Sequence, residues 1–255
     1  MNINIYYHTY LDDNYLWSQL LLEKFKVMED SGLMQKTNKI HITAITQNDP
    51  RVGMFHNLCG LYNVPVEIEF IQNQYNNDIA MMEDLRNIFG NVVKNVGEDY
   101  THKKMQEACK KEDQIILYLH AKGITSILNN LTVPGLVSKY RNRYYWRMFM
   151  YNVMTDWKEC VDALQSEYDT AGIDYSELPS PHYRGNFFWS KSDHIKTLPD
   201  PMTRDWWAEL KREKNHEWLN KVCDRFGSEL WLCSKKGTRS FNSRTNNGDY
   251  IDNDI

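Results

Sequence analysis

The largely apolar run Ile3-Asn4-Ile5-Tyr6-Tyr7 reads as a first strand. From Asp13 the spacing changes. Leu16, Trp17, Leu20, Leu21, Phe25 and Met28 recur at helical intervals and predict an amphipathic helix. Asp12 or Asp13 is placed to cap its start, and Gly32 to stop it. Ile40, Ile42 and Ala44 then alternate with His41, Thr43 and Ile45 as a second strand. A short helical region follows from Arg51 to Tyr62, and Val66, Ile68 and Phe70 mark a third strand. Helices are expected over 77–94 and 101–112. Ile115-Ile116-Leu117-Tyr118-Leu119 is apolar on both faces, as suits a central, buried strand.

Strands separated by helices predict an α/β fold with a mostly parallel central sheet, flanked by helices and joined by right-handed crossovers. Ligands of such sheets gather outside the carboxyl ends of the strands. That rule singles out His8-Thr9, Thr46-Gln47-Asn48-Asp49 and His120-Ala121-Lys122-Gly123. Past residue 130 the pattern changes. Residues 134–166 predict one long or two abutting helices carrying Tyr140, Tyr144, Tyr145, Trp146, Phe149, Tyr151 and Trp157. An irregular stretch over 167–184 leads to a short strand, Gly185-Asn186-Phe187-Phe188-Trp189, and a helical region over 202–226. The polar, Gly/Asn/Asp-rich residues 234–255 have little to bury and are expected to be disordered. The expected layout is one domain over 1–233, with a nucleotide-binding half to about residue 130 and an acceptor half from 131 to 233.

Composition narrows the class. With 42% hydrophobic residues, 25% charged residues and a net charge of −4, the chain has no positive field to draw it to nucleic acid. No apolar run approaches the roughly 20 residues that span a bilayer. The five cysteines (Cys59, Cys109, Cys160, Cys223 and Cys233) are scattered, without metal-finger spacing, which suits reduced thiols in a cytoplasmic setting. No signal peptide is evident before the first strand. Sixteen Tyr, eight Trp and nine Phe are a high aromatic load, which fills cores and interfaces first and can also make flat walls for sugars or bases.

Four constellations carry candidate chemistry. His120-Ala121-Lys122-Gly123 ends the central strand: the lysine can meet a diphosphate as a point charge, and His120 can donate to phosphate or take a proton. Tyr168-Asp169-Thr170-Ala171-Gly172 sets a carboxylate in a glycine-punctuated turn, where it would hold sugar hydroxyls, a divalent ion or simply its own backbone. In His182-Tyr183-Arg184-Gly185-Asn186-Phe187-Phe188-Trp189, polar groups surround a glycine beside three aromatics, and such groups are buried only with partners. Arg212 and Glu217-Trp218-Leu219 offer a cation and a carboxylate on the last helix. Phosphate-binding loops of the GxxxxGK[ST] or GxGxxG kind, HExxH and GxSxG are absent, as is a strand-end Asp-x-Asp.

Taken in order, these segments resemble a family of GT-A-type glycosyltransferases of large DNA viruses and microbes, among them small enzymes of chlorella viruses. The resemblance rests on Leu117 to Gly123, Trp146 to Trp157, Tyr168 to Gly172, His182 to Trp189, Leu198-Pro199, and Arg212 with Glu217 to Leu219. It implies a GT-A-like fold, a nucleoside-diphosphate sugar donor, a glycan or other hydroxyl acceptor, and often Mn²⁺ or Mg²⁺. On that reading His8, Thr9, Thr46, His120, Lys122 and Gly123 hold the nucleotide and diphosphate. His182, Arg184, Gly185, Asn186, Trp189 and Arg212 line the sugar and acceptor side. Glu217 is the first choice for the base and Asp169 the second, with Asp169 also the candidate metal ligand. A catalytically silent nucleotide-sugar- or carbohydrate-binding protein is the alternative, favoured by the missing Asp-x-Asp. A phosphate-ester hydrolase using His120 has no metal cluster to support it.

Overall fold

The computed structural model describes residues 2–11, 16–46, 50–72, 98–121, 148–203, 205–214, 216, 219 and 227–243. The expected alternation folds into a parallel unit. Strand β1 (Asn2–Leu11) leads to helix α1 (Leu16–Asp30), β2 (Thr37–Thr46), α2 (Pro50–Cys59) and β3 (Val66–Gln72). After α3 (Glu98–Lys111) comes β4 (Gln114–His120). β1 lies between β2 and β4 and pairs in parallel with both, and β3 extends the sheet beyond β2.

The second half adds helical turns over 148–155, α4 (Trp157–Gln165), β5 (Thr170–Gly172), a ribbon of β6 (Tyr175–Ser176) and β7 (His182–Tyr183), and β8 (Phe188–Lys191). Helices α5 (Ser192–Ile195), α6 (Asp205–Lys214) and α7 (Gly227–Leu230) precede β9 (Ser240–Asn242). The result is a mixed, mostly parallel seven-stranded sheet in the order β3-β2-β1-β4-β8-β5-β9, flanked by helices. β8 is antiparallel to both β4 and β5.

Period-two patterning sorts the sheet residues into two cores. Ile3, Ile5, Tyr7, Leu117, Leu119 and Trp189 face a cluster that includes Trp17 and Phe25 of α1 and Cys160 of α4. Tyr6, Ile116, Tyr118 and Phe188 face the other, with Met105 of α3, Trp207 of α6 and Trp231. α3 carries Glu98 and Asp99 in its first turn and Lys110 and Lys111 in its last, which complements the helix dipole.

Several expectations are corrected. α3 opens at Glu98, three residues before the patterned stretch, because its acidic first turn belongs to the helix. The strand expected at Gly185 starts at Phe188: Gly185 and Asn186 take φ of 84° and 57°, which a strand cannot hold. The stretch from Ser234 to Ser243 is part of the fold, not a disordered tail. Its β9 joins β5 in parallel, Thr170 Oγ1 donates to Ser240 Oγ at 2.9 Å, and the Tyr183 hydroxyl donates to the Phe241 carbonyl at 3.0 Å. The expected helix over 77–94, the candidate cap residues Asp12 and Asp13, and residues 244–255 lie outside the described residues. No described helix is long and apolar enough to cross a membrane.

Candidate functional site

β1 and β4 are adjacent and parallel, and their register pairs His8 with His120. Both rings project to the side of Tyr6 and Tyr118, where the first turn of α3 meets them. His8 Nδ1 lies 3.0 Å from Thr101 Oγ1 of that turn. His120 Nδ1 lies 3.4 Å from Glu98 Oε1, one helical turn earlier. One short helical segment thus holds the imidazoles of two neighbouring strands.

A third segment closes the cluster. The loop before β8 carries Gly185 and Asn186 in left-handed conformations, a pairing glycine and asparagine tolerate best. Asn186 is almost fully buried, and its Nδ2 donates to Glu98 Oε2 at 2.6 Å. The Gly185 carbonyl lies 2.7 Å from His120 Nε2. A carbonyl only accepts, so Nε2 carries the proton, and the Nδ1 contact with Glu98 is attractive when a second proton lies between them. The Tyr118 hydroxyl also donates to Glu98 Oε2, at 3.3 Å. The Ala121 N–H, just past the end of β4, donates to the His8 carbonyl at 2.9 Å.

Electrostatics separate the histidines. Burial pushes His8 down to about 4; the Glu98 carboxylate opposes this, and His120 adds to it. His102, the next residue after Thr101, is held at about 3, by burial first. Its two ring nitrogens have no hydrogen-bond partner, and its ring stacks on Trp231 with centroids 4.8 Å apart. Both imidazoles are therefore neutral at physiological pH.

The other candidates fall in different places. Thr9 and Thr46 are buried near the same strand ends, but Thr9 faces the opposite side of the sheet from His8, with the Tyr7 hydroxyl donating to its Oγ1 at 3.4 Å. Trp189 is a core residue, with no exposed face to stack on a sugar; its Nε1 donates to the Val153 carbonyl at 2.8 Å. His182 Nδ1 donates to the Ser180 carbonyl at 2.7 Å, and Arg184 Nε lies 3.8 Å from Asp174 Oδ2, so both brace the loop that presents Gly185 and Asn186. Arg212 is exposed on α6. Lys122, Gly123 and Glu217 lie outside the described residues.

Asp169 sits apart from this cluster. It precedes Thr170, which pairs with Ser190, which pairs with Ile116 near the start of β4, so it belongs to the opposite end of the sheet from His120. Its carboxylate accepts the Arg239 backbone N–H at 3.0 Å and lies 3.6 Å from Lys191 Nζ. Burial works against its ionisation, but these Arg239 contacts outweigh it and hold the carboxyl below its usual range. A carboxylate so occupied by cations is a poor fit for Mn²⁺ or Mg²⁺. Among the described residues no three His, Cys, Asp or Glu side chains converge where they would hold a metal ion.

Sequence patterning missed Glu98, Thr101 and Tyr118, and also Arg51, whose Nη1 donates to the Leu11 carbonyl at the end of β1 at 2.6 Å. Tyr118 was findable, because strand period places it on the His120 face. A family model matches residues 6–235, which takes in the sheet from Tyr6 of β1 through β8 and leaves out β9. The chain belongs to the DUF8361 family, described as a domain of unknown function. No curated protein matches it. The DUF8361 match contains the whole His8–Glu98–His120–Asn186 cluster.

Proposed function

We propose that this DUF8361 protein is a glycosyltransferase that moves a sugar from a nucleoside-diphosphate donor to a hydroxyl acceptor. The observation that carries the reading is the convergence of His8, His120, Glu98 and Asn186 at the carboxyl ends of adjacent parallel strands, where α/β sheets bind ligands. Two of the ordered motifs, His120-x-Lys122-Gly123 and Gly185-Asn186-Phe187-Phe188-Trp189, meet in this cluster through the His120–Gly185 hydrogen bond. In this reading Lys122 and Arg51 supply positive charge to the departing diphosphate, and Asn186 fixes the carboxylate of Glu98. The described residues supply no metal set, so no step is assigned to a cation.

Ligand that binds only the folded state raises its melting temperature. A thermal-shift panel of nucleoside diphosphates and their sugars, with and without Mn²⁺, is expected to single out one base. No shift with any nucleotide would overturn the proposal.

A further inference from the structure

Resting on that reading, we infer that His8 is the general base that takes the proton of the acceptor hydroxyl, in place of Glu217 or Asp169. Two observations support this. His8 is half-buried as a residue, whereas His120 and Asn186 are buried and committed to Gly185 and Glu98. Its Nδ1 is anchored 3.0 Å from Thr101 Oγ1, and we take the tautomer in which Nδ1–H donates there and Nε2 keeps its lone pair. This is the base-plus-orienter arrangement that general-base catalysis uses.

The groups facing His8 make it a suitable base. Glu98 and Thr101 face it from α3, with His102 beside them; His120 faces it from β4; β2 presents the uncharged Thr43 at the same level. Burial, aided by His120, gives the His8 imidazole about the basicity of an ordinary carboxylate, near 4. Unlike a carboxylate it is uncharged before reaction, so it does not repel the donor diphosphate beside it.

The step balances. The acceptor O–H bond breaks and its proton goes to His8 Nε2. The freed oxygen pair forms the new bond to the anomeric carbon, with inversion. The bond from that carbon to the diphosphate oxygen breaks, and its electrons leave with the nucleoside diphosphate. The resulting imidazolium keeps Nδ1–H on Thr101.

The test compares wild type, His8→Ala, His8→Gln and Thr101→Val, using the nucleotide sugar that gives the largest thermal shift with wild type. His8→Ala is expected to lose about 10²–10⁴-fold in transfer rate at saturating donor. Added imidazole restores part of the rate, which a merely structural role would not allow. The acid limb of the wild-type pH–rate profile, near 4, is absent from the residual activity of His8→Gln. Thr101→Val keeps donor binding with a loss on the order of tenfold, from an imidazole left free to turn. Transfer by His8→Gln within threefold of wild type, or a loss that imidazole does not rescue with an unmoved acid limb, would overturn the assignment. Failure of wild type to bind any nucleotide sugar would instead remove the glycosyltransferase reading, a result read separately from the variants.

Discussion

Gly172 shows how a residue singled out for chemistry can owe its identity to packing. A Cβ placed there would lie 2.7 Å from Cδ1 of the Tyr183 ring, which is buried and ties β5 to β9 through its hydroxyl. Gly172→Ala must push that ring aside and is expected to lower unfolding free energy by about 1–3 kcal/mol in urea denaturation. A stability equal to wild type would show that the ring yields freely. Trp189 teaches the same lesson. Its run of aromatics reads as a sugar wall in sequence, yet its indole N–H and its whole surface are spent on the core. Burial of a polar aromatic is visible in sequence only as composition, because the partner carbonyl, Val153, lies 36 positions away.

At the scale of elements, the α/β alternation and the four parallel strands were legible because each strand's period and each helix's spacing are local. The reversal at β8 was not. It depends on the left-handed pair Gly185–Asn186, and of the two only the glycine signals its backbone conformation in sequence. β9 was illegible for a related reason: a three-residue strand of Ser, Phe and Asn has no periodicity of its own and is held by Thr170, Tyr183 and its backbone pairing with β5. Glu98 was hidden by its place at the start of α3, where an acidic residue reads as dipole complement. The junction of β4 with α5 offers a direct check. Ser192 Oγ accepts the Gln114 N–H at 2.6 Å and donates to the Gln114 carbonyl at 2.8 Å, both buried. Ser192→Ala strips two bonds from the first residue of β4 and is expected to cost about 1–3 kcal/mol, while leaving the nucleotide-sugar thermal shift unchanged. Loss of that shift in a folded variant would mean that the amino end of the sheet, rather than the carboxyl end, governs binding.

For the whole molecule, two neutral histidines set a pH dependence. His8 and His102 titrate at about 4 and about 3 in the fold, against near 6.5 in an unfolded chain. Between those limits the unfolded chain binds protons that the fold refuses. Their contribution is therefore complete above about 6.5 and is lost as the pH falls toward 4 and 3. Urea midpoints are expected to drop between pH 7 and pH 5. His102→Phe, which keeps a ring beside Trp231 and removes two unpartnered nitrogens, is expected to flatten that drop. Parallel pH profiles for the two proteins would contradict this account of acid sensitivity.

The central claim is transfer from a nucleotide sugar at the His8–His120 end of the sheet, and release of nucleoside diphosphate measures it most directly. Purified protein incubated with the donor that stabilises it is expected to release nucleoside diphosphate slowly in buffer and faster when a suitable hydroxyl acceptor is added, with His8→Gln releasing far less. A donor that binds but stays intact with every acceptor would contradict the claim and leave a nucleotide-sugar-binding protein on this fold.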